Sequence, residues 1–282
     1  MAASVDNSLP YLSTVCSLYK KAYTPWEWHK VIFDRCKERG IIGFSTPFDF
    51  TAVDFLEELD CPIYKIASFE NIDLTLIKRV AQTGKPMIVS TGMASVAEVQ
   101  ELVDAVLENG CEDLTLLKCT SSYPATPEGT NLLTIPHMKE LFKCNVGLSD
   151  HTLGLGAAVA SMALGARVIE KHFTLCRADG GVDSAFSMEP AEMAQLVREC
   201  NTAVQAMGHV SYEMQEQEKN SLIYRRSLYI VKDMKAGDVL TEENLRSIRP
   251  GLGLPPKFYE DLLGKKVRCD VKKGTAMRWE FV

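Results

Sequence analysis

From residue 40 to residue 207 the sequence alternates short β-type runs with helix-patterned stretches, one pair roughly every 20–30 residues. The β-type runs are Ile41–Ser45, Ile63–Ala67, Pro86–Ser90, Leu114–Cys119, Val146–Ser149 and Arg167–Glu170. The helical stretches are Thr51–Leu59, Leu74–Gln82, Ser95–Asn109, Ile135–Phe142, Gly154–Leu164 and Pro190–Met207. Strands that alternate with helices predict a parallel sheet covered by helices, because each crossover returns the chain to the same sheet edge. Upstream, Thr24 as a cap and Pro25 as the first helical residue predict a helix over Trp26–Arg39.

Polar residues cluster where these runs end: Ser45 and Thr46, Lys65 with Ser68 and Glu70, Ser90 and Thr91, Lys118 with Thr120 and Ser121, Asp150 and His151, Lys171 and His172. A (β/α) barrel builds its active site at those ends. Loops are polar anyway, which accounts for the hydroxyls but not for the repeated lysines and histidines. The stretch Gly147–Phe173 concentrates the pattern, since both of its β runs lead into a histidine, His151 and His172. Two imidazoles at one sheet edge suit manganese, iron, cobalt or zinc better than calcium. The plain alternative is two polar strand caps, because two histidines are few ligands. Lys65 and Lys118 with Thr46, Ser68, Ser90 and Ser121 suit a phosphate, which needs cations and hydroxyl donors.

A complete barrel has eight strands. The visible runs number six, so the expectation is an α/β barrel of the TIM (β/α)8 type that lacks its first two βα units. Tyr11–Leu18 has room for one more element at most. Residues 209–220 are polar and predict a linker, and the pattern beyond it changes. Leu228–Val231, Lys266–Asp270 and Ala276–Phe281 predict short strands, and Thr241–Leu245 one helical turn. The expected organisation is a barrel domain over 1–210, a linker over 211–220 and a small β-rich domain over 221–282.

A length of 282 residues accommodates two such domains. A net charge of −6 argues against nucleic-acid binding, which needs a basic face. Nine cysteines without a CxxC pair predict reduced thiols and a cytoplasmic protein. No apolar run approaches the ~18 residues of a membrane span. The N-terminus lacks the basic start and long apolar core of a secretory signal.

Several longer motifs carry a resemblance. They are STPFD (45–49), YKIAS (64–68) with Glu70, GKPMIVSTGM (84–93), LLKCTSSYP (116–124), GLSDHT (147–152), IEKHFT (169–174), DGGVD (179–183) and IRPGLG (248–253). Together they resemble the sialic acid synthase family, and TPWEWH (24–29), RRSLYIVKD (225–233) and SIRPGLGLPP (247–256) resemble its pseudaminic-acid-forming branch. The resemblance implies a (β/α)8 barrel followed by an antifreeze-like (SAF) domain. It implies condensation of phosphoenolpyruvate with an N-acetylated amino sugar, 2,4-diacetamido-2,4,6-trideoxy-altrose, to a nonulosonic acid and phosphate. The alternatives are an N-acetylneuraminate or legionaminate synthase, or a silent relative that only binds ligand.

Carried over by motif, His151 and His172 are the ligands of a divalent metal, most often Mn2+, with Mg2+ or Co2+ as alternatives. Thr46, Lys65, Ser68, Ser90, Ser121 and Tyr123 form the phosphoenolpyruvate shell. Lys65, Glu70 and Asp183 are the catalytic candidates, the last two facing the sugar. Arg249 reaches the partner's barrel in a domain-swapped homodimer. Ser121 stands where sialic acid synthases carry an asparagine. The family's opening motifs, Glu-Ile-Gly with Asn-His and then Lys-Phe-Gln, do not occur in this sequence.

Overall fold

The computed structural model describes residues 23–282. The possible element at Tyr11–Leu18 lies outside them. The chain divides into two compact units, one ending at Gly208 and one running from His209 to Val282.

In the first unit, helices α1 (Trp26–Arg39) and α2 (Phe50–Glu58) precede strand β1 (Tyr64–Ile66). Then follow α3 (Leu74–Ala81), β2 (Met87–Ser90), α4 (Val96–Glu108), β3 (Leu114–Cys119), α5 (Thr134–Phe142), β4 (Asn145–Asp150), α6 (Gly156–Ala163), β5 (Val168–Lys171) and α7 (Pro190–Met207). The helices start where short polar side chains take up free backbone N–H groups. Asp49 accepts from the Ala52 N–H at 2.8 Å and Asp73 from the Leu76 N–H at 3.1 Å. Ser95 and Glu98 form a reciprocal capping box on α4, and such a cap contributes about 1 kcal/mol. Helix α4 then buries Val99, Leu102, Val103 and Val106 along one stripe, each contributing roughly 1.5–3 kcal/mol. At α1 the cap differs from expectation: Pro25 itself is the N-cap residue, extended at φ −54° and ψ 137°, and Thr24 lies outside the helix.

All five strands are parallel and pair in the order β1-β2-β3-β4-β5. Sequential order is that of a barrel, whereas a doubly wound sheet reverses at a switch point. Helices then lie on one side only. Of the six predicted strands, Ile41–Ser45 does not form; Ser45 alone makes a single parallel bridge to Tyr64. Ile41 and Ile42, 62% and 67% exposed, have no second layer that would hold them extended.

Strand alternation sorts the residues. Tyr64, Ile66, Met87, Val89, Leu114, Leu116, Val146 and Leu148 enter the core beneath the helices. Lys65, Ser90, Cys119, Ser149 and Glu170 take the opposite face. On that face the sheet is strongly curled. Flat, β1 and β5 would lie about 19 Å apart, at ~4.8 Å per strand. Yet the Lys65 Nζ of β1 stands 3.4 Å from the Glu170 Oε2 of β5. Gly147 permits the tight packing low on this face: a Cβ there would lie 2.3 Å from the Val168 carbonyl oxygen and 2.6 Å from Leu117.

The second unit holds a 3-10 helix, Glu216–Tyr224, and an antiparallel pair, β6 (Ser227–Ile230) and β7 (Leu245–Ile248). The predicted strands Lys266–Asp270 and Ala276–Phe281 are replaced by single bridges, Val239 to Lys266 and Tyr229 to Ala276. The sequence pattern missed β7, whose polar Arg246 and Ser247 hide its alternation. Leu228, Ile230, Met234, Leu240, Leu245, Leu262, Val267, Val271 and Met277 form a separate core. All eight cysteines among the described residues are free.

Candidate active site

The concave face gathers two groups of side chains at the C-terminal strand ends. The first belongs to β1–β3. Lys65, 6% exposed, donates from Nζ to the Ser90 hydroxyl at 2.8 Å and to the Ile66 carbonyl at 2.9 Å, with Glu170 beside it. Burial holds the Lys65 ammonium below its usual range, and Glu170 offsets only part of that effect. The Ser68 hydroxyl accepts from the Gly92 N–H at 3.1 Å. A Cβ on Gly92 would lie 2.2 Å from the Ser121 Oγ and 2.6 Å from the Ser68 Oγ. The two hydroxyls therefore converge over a bare backbone. Asn71, 3% exposed, fixes that turn by donating to the carbonyls of Ser90 and Gly92 at 3.2 and 3.0 Å. Thr46 follows Ser45, whose carbonyl accepts from the Lys65 N–H at 3.2 Å. Glu70 has a buried carboxylate oxygen, Oε2, with no hydrogen-bond partner among the described residues, and burial raises its pKa. A buried oxygen without a partner carries a desolvation cost that a bound donor would remove.

The second group belongs to β4 and β5. His151 and His172 stand with ring centroids 5.2 Å apart. His151 donates from Nδ1 to the Thr120 carbonyl at 2.9 Å. The Asp183 carboxylate lies 3.4 Å from the Nδ1 of His172. Both contacts engage Nδ1 and leave Nε2 of each ring as the nitrogen available to a ligand. Burial pushes His172 down, toward the neutral form a metal requires. Burial also pushes His151 down, but the neighbouring Cys119 sulfur and the Thr120 carbonyl bring it up overall. Among the described residues no cluster of three His, Cys, Asp or Glu side chains has metal-binding geometry. The donor set is two imidazoles with oriented tautomers, which fits a divalent ion whose other positions are filled by water or substrate.

Beneath this pair, Lys171 and Asp150 form an ion pair at 2.8 Å, their side chains 3% and 0% exposed. Lys171 also donates to the Thr152 carbonyl at 2.6 Å, while Asp150 accepts from the Thr152 N–H and hydroxyl. This pair points to the helix side and ties the ends of β4 and β5 together. Asp183 sits on a loop held to the start of α7 by Arg177, which binds both Glu192 oxygens at 2.5 and 3.1 Å and the Ser187 carbonyl at 3.0 Å. The Arg177 guanidinium holds Glu192 down at about 2. Tyr123 leans over the imidazoles, its ring centroid 4.3 Å from that of His151.

Of the predicted site residues, Thr46, Lys65, Ser68, Glu70, Ser90 and Ser121 belong to the first group, and Tyr123, His151, His172 and Asp183 to the second. Lys118 is a correction. It lies on the helix side of β3, bonded to Thr120 and lining a recess with Leu132, Thr134 and His137. Strand alternation alone places it one residue out of phase with Cys119. Arg249 lies in the second unit, where its Nε donates to the Tyr224 carbonyl at 2.7 Å. No carboxylate among the described residues pairs with it. Glu170, Gly92 and Asn71 were missed as site residues. Period-2 counting from Lys65, Ser90 and His172 would have found Glu170.

The NeuB family profile matches residues 5–212, and the SAF domain profile residues 225–282. A pseudaminic acid synthase of Campylobacter jejuni is 44% identical over 93% of this chain and 76% of its own length. An N,N'-diacetyllegionaminic acid synthase of the same organism is 39% identical over 89% of this chain and 76% of its own length. The crystal structure of an N-acetylneuraminic acid synthetase from Leptospira borgpetersenii, in complex with citrate, superposes with a TM-score of 0.69 at 33% identity. It covers 76% of this chain and 74% of that one.

Proposed function

The chain belongs to the NeuB family and carries a SAF domain, and from that we propose that it condenses phosphoenolpyruvate with an N-acetylated amino sugar to a nonulosonic acid and inorganic phosphate. The sugar proposed is 2,4-diacetamido-2,4,6-trideoxy-altrose and the product pseudaminic acid, on the strength of the pseudaminic acid synthase relatives at 41–44% identity. The sequential curled sheet supports descent from a (β/α)8 barrel. The observation that carries the reading is the cradle over Gly92, where two serine hydroxyls meet beside a buried lysine.

Phosphoenolpyruvate binds with an anionic group in that cradle, against the Ser68 and Ser121 hydroxyls and the field of Lys65. Ser90 and Glu170 hold the Lys65 ammonium in place. The sugar lies between the cradle and the imidazoles, with its aldehyde near His151 and His172. A divalent ion held by His151 and His172, manganese first and magnesium or cobalt as alternatives, would polarise the aldehyde oxygen when bound. The enol carbon bonds to the aldehyde carbon and the aldehyde oxygen takes up a proton. Water then adds to the phosphate-bearing carbon, and phosphate leaves with its bridging oxygen as that carbon becomes a ketone. Glu70, whose buried oxygen lacks a partner among the described residues, binds a donor of the sugar. Asp183 holds the Nδ1 of His172 and keeps the ring oriented. Holding both substrates on one rigid face supplies the orientation effect.

In the same reading the protein is cytoplasmic and a swapped dimer, in which the exposed, carboxylate-free Arg249 reaches a partner's site. No helix among the described residues is long and apolar enough to cross a membrane. The test is phosphate release with manganese and phosphoenolpyruvate, with 2,4-diacetamido-2,4,6-trideoxy-altrose or N-acetylmannosamine in separate assays, and product mass by mass spectrometry. Release with the first sugar and a mass equal to the condensation product is expected. Release with N-acetylmannosamine alone moves the chain to the neuraminate branch. Folded protein that releases phosphate with neither sugar overturns the synthase reading.

A further inference from the structure

Of the four rings that meet at the candidate site, those of Tyr123, His151 and His172 each carry a polar atom and that of Phe186 carries none. Phe186 sits in the one-turn 3-10 helix Ser184–Phe186, three residues after Asp183. Its ring centroid is 5.0 Å from that of His172 and 5.6 Å from that of Tyr123. Tyr123 in turn packs 4.3 Å from His151 and 5.9 Å from His172. The two aromatic rings thus form a wall beside the imidazole pair, with a phenol on one ring and only C–H groups on the other. Phe186 also borders a cavity of about 460 Å³ in which Leu153, Leu155 and Met188 stand beside the charged Lys171, Arg177 and Glu192. The Arg177 clamp fixes the loop that carries it.

A sugar aldehyde near His172 must bring some of its substituents against this ring. A hydroxyl placed there would lose its water without gaining a partner, and a methyl group would lose nothing. We propose that Phe186 is a specificity residue that accepts a methyl-bearing part of the amino sugar and rejects the hydroxylated counterpart. The methyl belongs either to a deoxygenated C6 or to an N-acetyl group. This inference rests on the synthase reading and refines it by substrate class.

The test compares the parent chain with Phe186→Leu, Phe186→Ser and Phe186→Tyr. Each is assayed by kcat/KM and by calorimetric sugar binding with three sugars: 2,4-diacetamido-2,4,6-trideoxy-altrose, its 6-hydroxy analogue, and its N-glycolyl analogue. For the parent, discrimination against one hydroxylated analogue of about 10- to 100-fold is expected. Phe186→Leu keeps that ratio, because the position stays apolar. Phe186→Ser and Phe186→Tyr bring it toward unity. Collapse for the 6-hydroxy sugar assigns the methyl to C6, and collapse for the N-glycolyl sugar assigns it to an acyl group. A Phe186→Ser variant in which all three sugars weaken equally, so that the parent's discrimination ratio stands, overturns the proposal, because Phe186 would then only support His172. A parent chain inactive with all three sugars overturns the synthase reading, and this inference with it.

Discussion

On β1, β2 and β3 the polar groups are held by the sheet and its tight turns, whereas at the end of β5 His172 depends on a loop. Lys65, Ser68 and Ser90 are each 6% exposed or less, and their partners are the Ile66 carbonyl, the Gly92 N–H, Glu170 and one another. His172 and Asp183 have side chains 32% and 52% exposed, and the loop that carries Asp183 is anchored by Arg177. Buried, strand-borne donors suit a ligand part that is always the same, such as an anionic phosphate or carboxylate. A loop-borne half can change its lining without disturbing the sheet. The relatives described above are synthases of three different acids, pseudaminic, N,N'-diacetyllegionaminic and N-acetylneuraminic, which fits that division.

The strongest challenge to this contrast is Gly92→Ala. The added Cβ overlaps the Ser68 and Ser121 hydroxyls, which can rotate, and comes within 3.0 Å of the Ser68 Cβ, which cannot, so the turn shifts and the cradle opens. The expected loss in kcat/KM for phosphoenolpyruvate is about 10²–10³-fold, with a lowered melting temperature because the buried Gly92 N–H to Ser68 bond is disturbed. A variant with normal phosphoenolpyruvate kinetics would remove the cradle from the mechanism.

Arg177→Ala probes the other half and should do less. It frees the loop that bears Asp183 and Phe186 without touching Lys65 or Ser90. The expected result is a fall of about 10- to 100-fold in kcat/KM for the sugar, at an unchanged KM for phosphoenolpyruvate. Equal losses for both substrates would show that the two halves are not independent.

The smallest effect concerns Glu70, in the first group. Burial raises its pKa above the ordinary value of 4.5. An acid whose pKa rises on folding costs stability where it is ionised and nothing where it is protonated in both states. Stability due to this group therefore falls as pH climbs through and above 4.5 toward the folded-state value. Glu70→Gln should melt slightly higher than the parent near neutral pH and equally in acid, while losing activity. A melting difference that persists below the ordinary glutamate range would assign the effect to packing instead.

Local pattern already encodes the helix positions of the first unit and five of its six expected strands, Ile41–Ser45 being the exception. Leu114–Cys119 and Pro190–Met207 form as the sequence pattern predicts, because a short apolar run and a Glu189–Glu192 capping box act within a few residues. The long motifs around Lys65, His151 and His172 likewise mark the strand ends on which the site is built. Which face each polar residue takes was decided by folding. Lys118, Asp150 and Lys171 sit at strand ends as conspicuously as Lys65 and His172, yet alternation turns them toward the helices. The approach of Glu170 to Lys65 depends on how far the sheet curls, a property of the whole arc. Phe186 meets His172 only because a clamped loop folds back across the strand end. Contacts of that kind join residues from separate elements, and their geometry is set by packing, on which a run of neighbouring residues carries no signal.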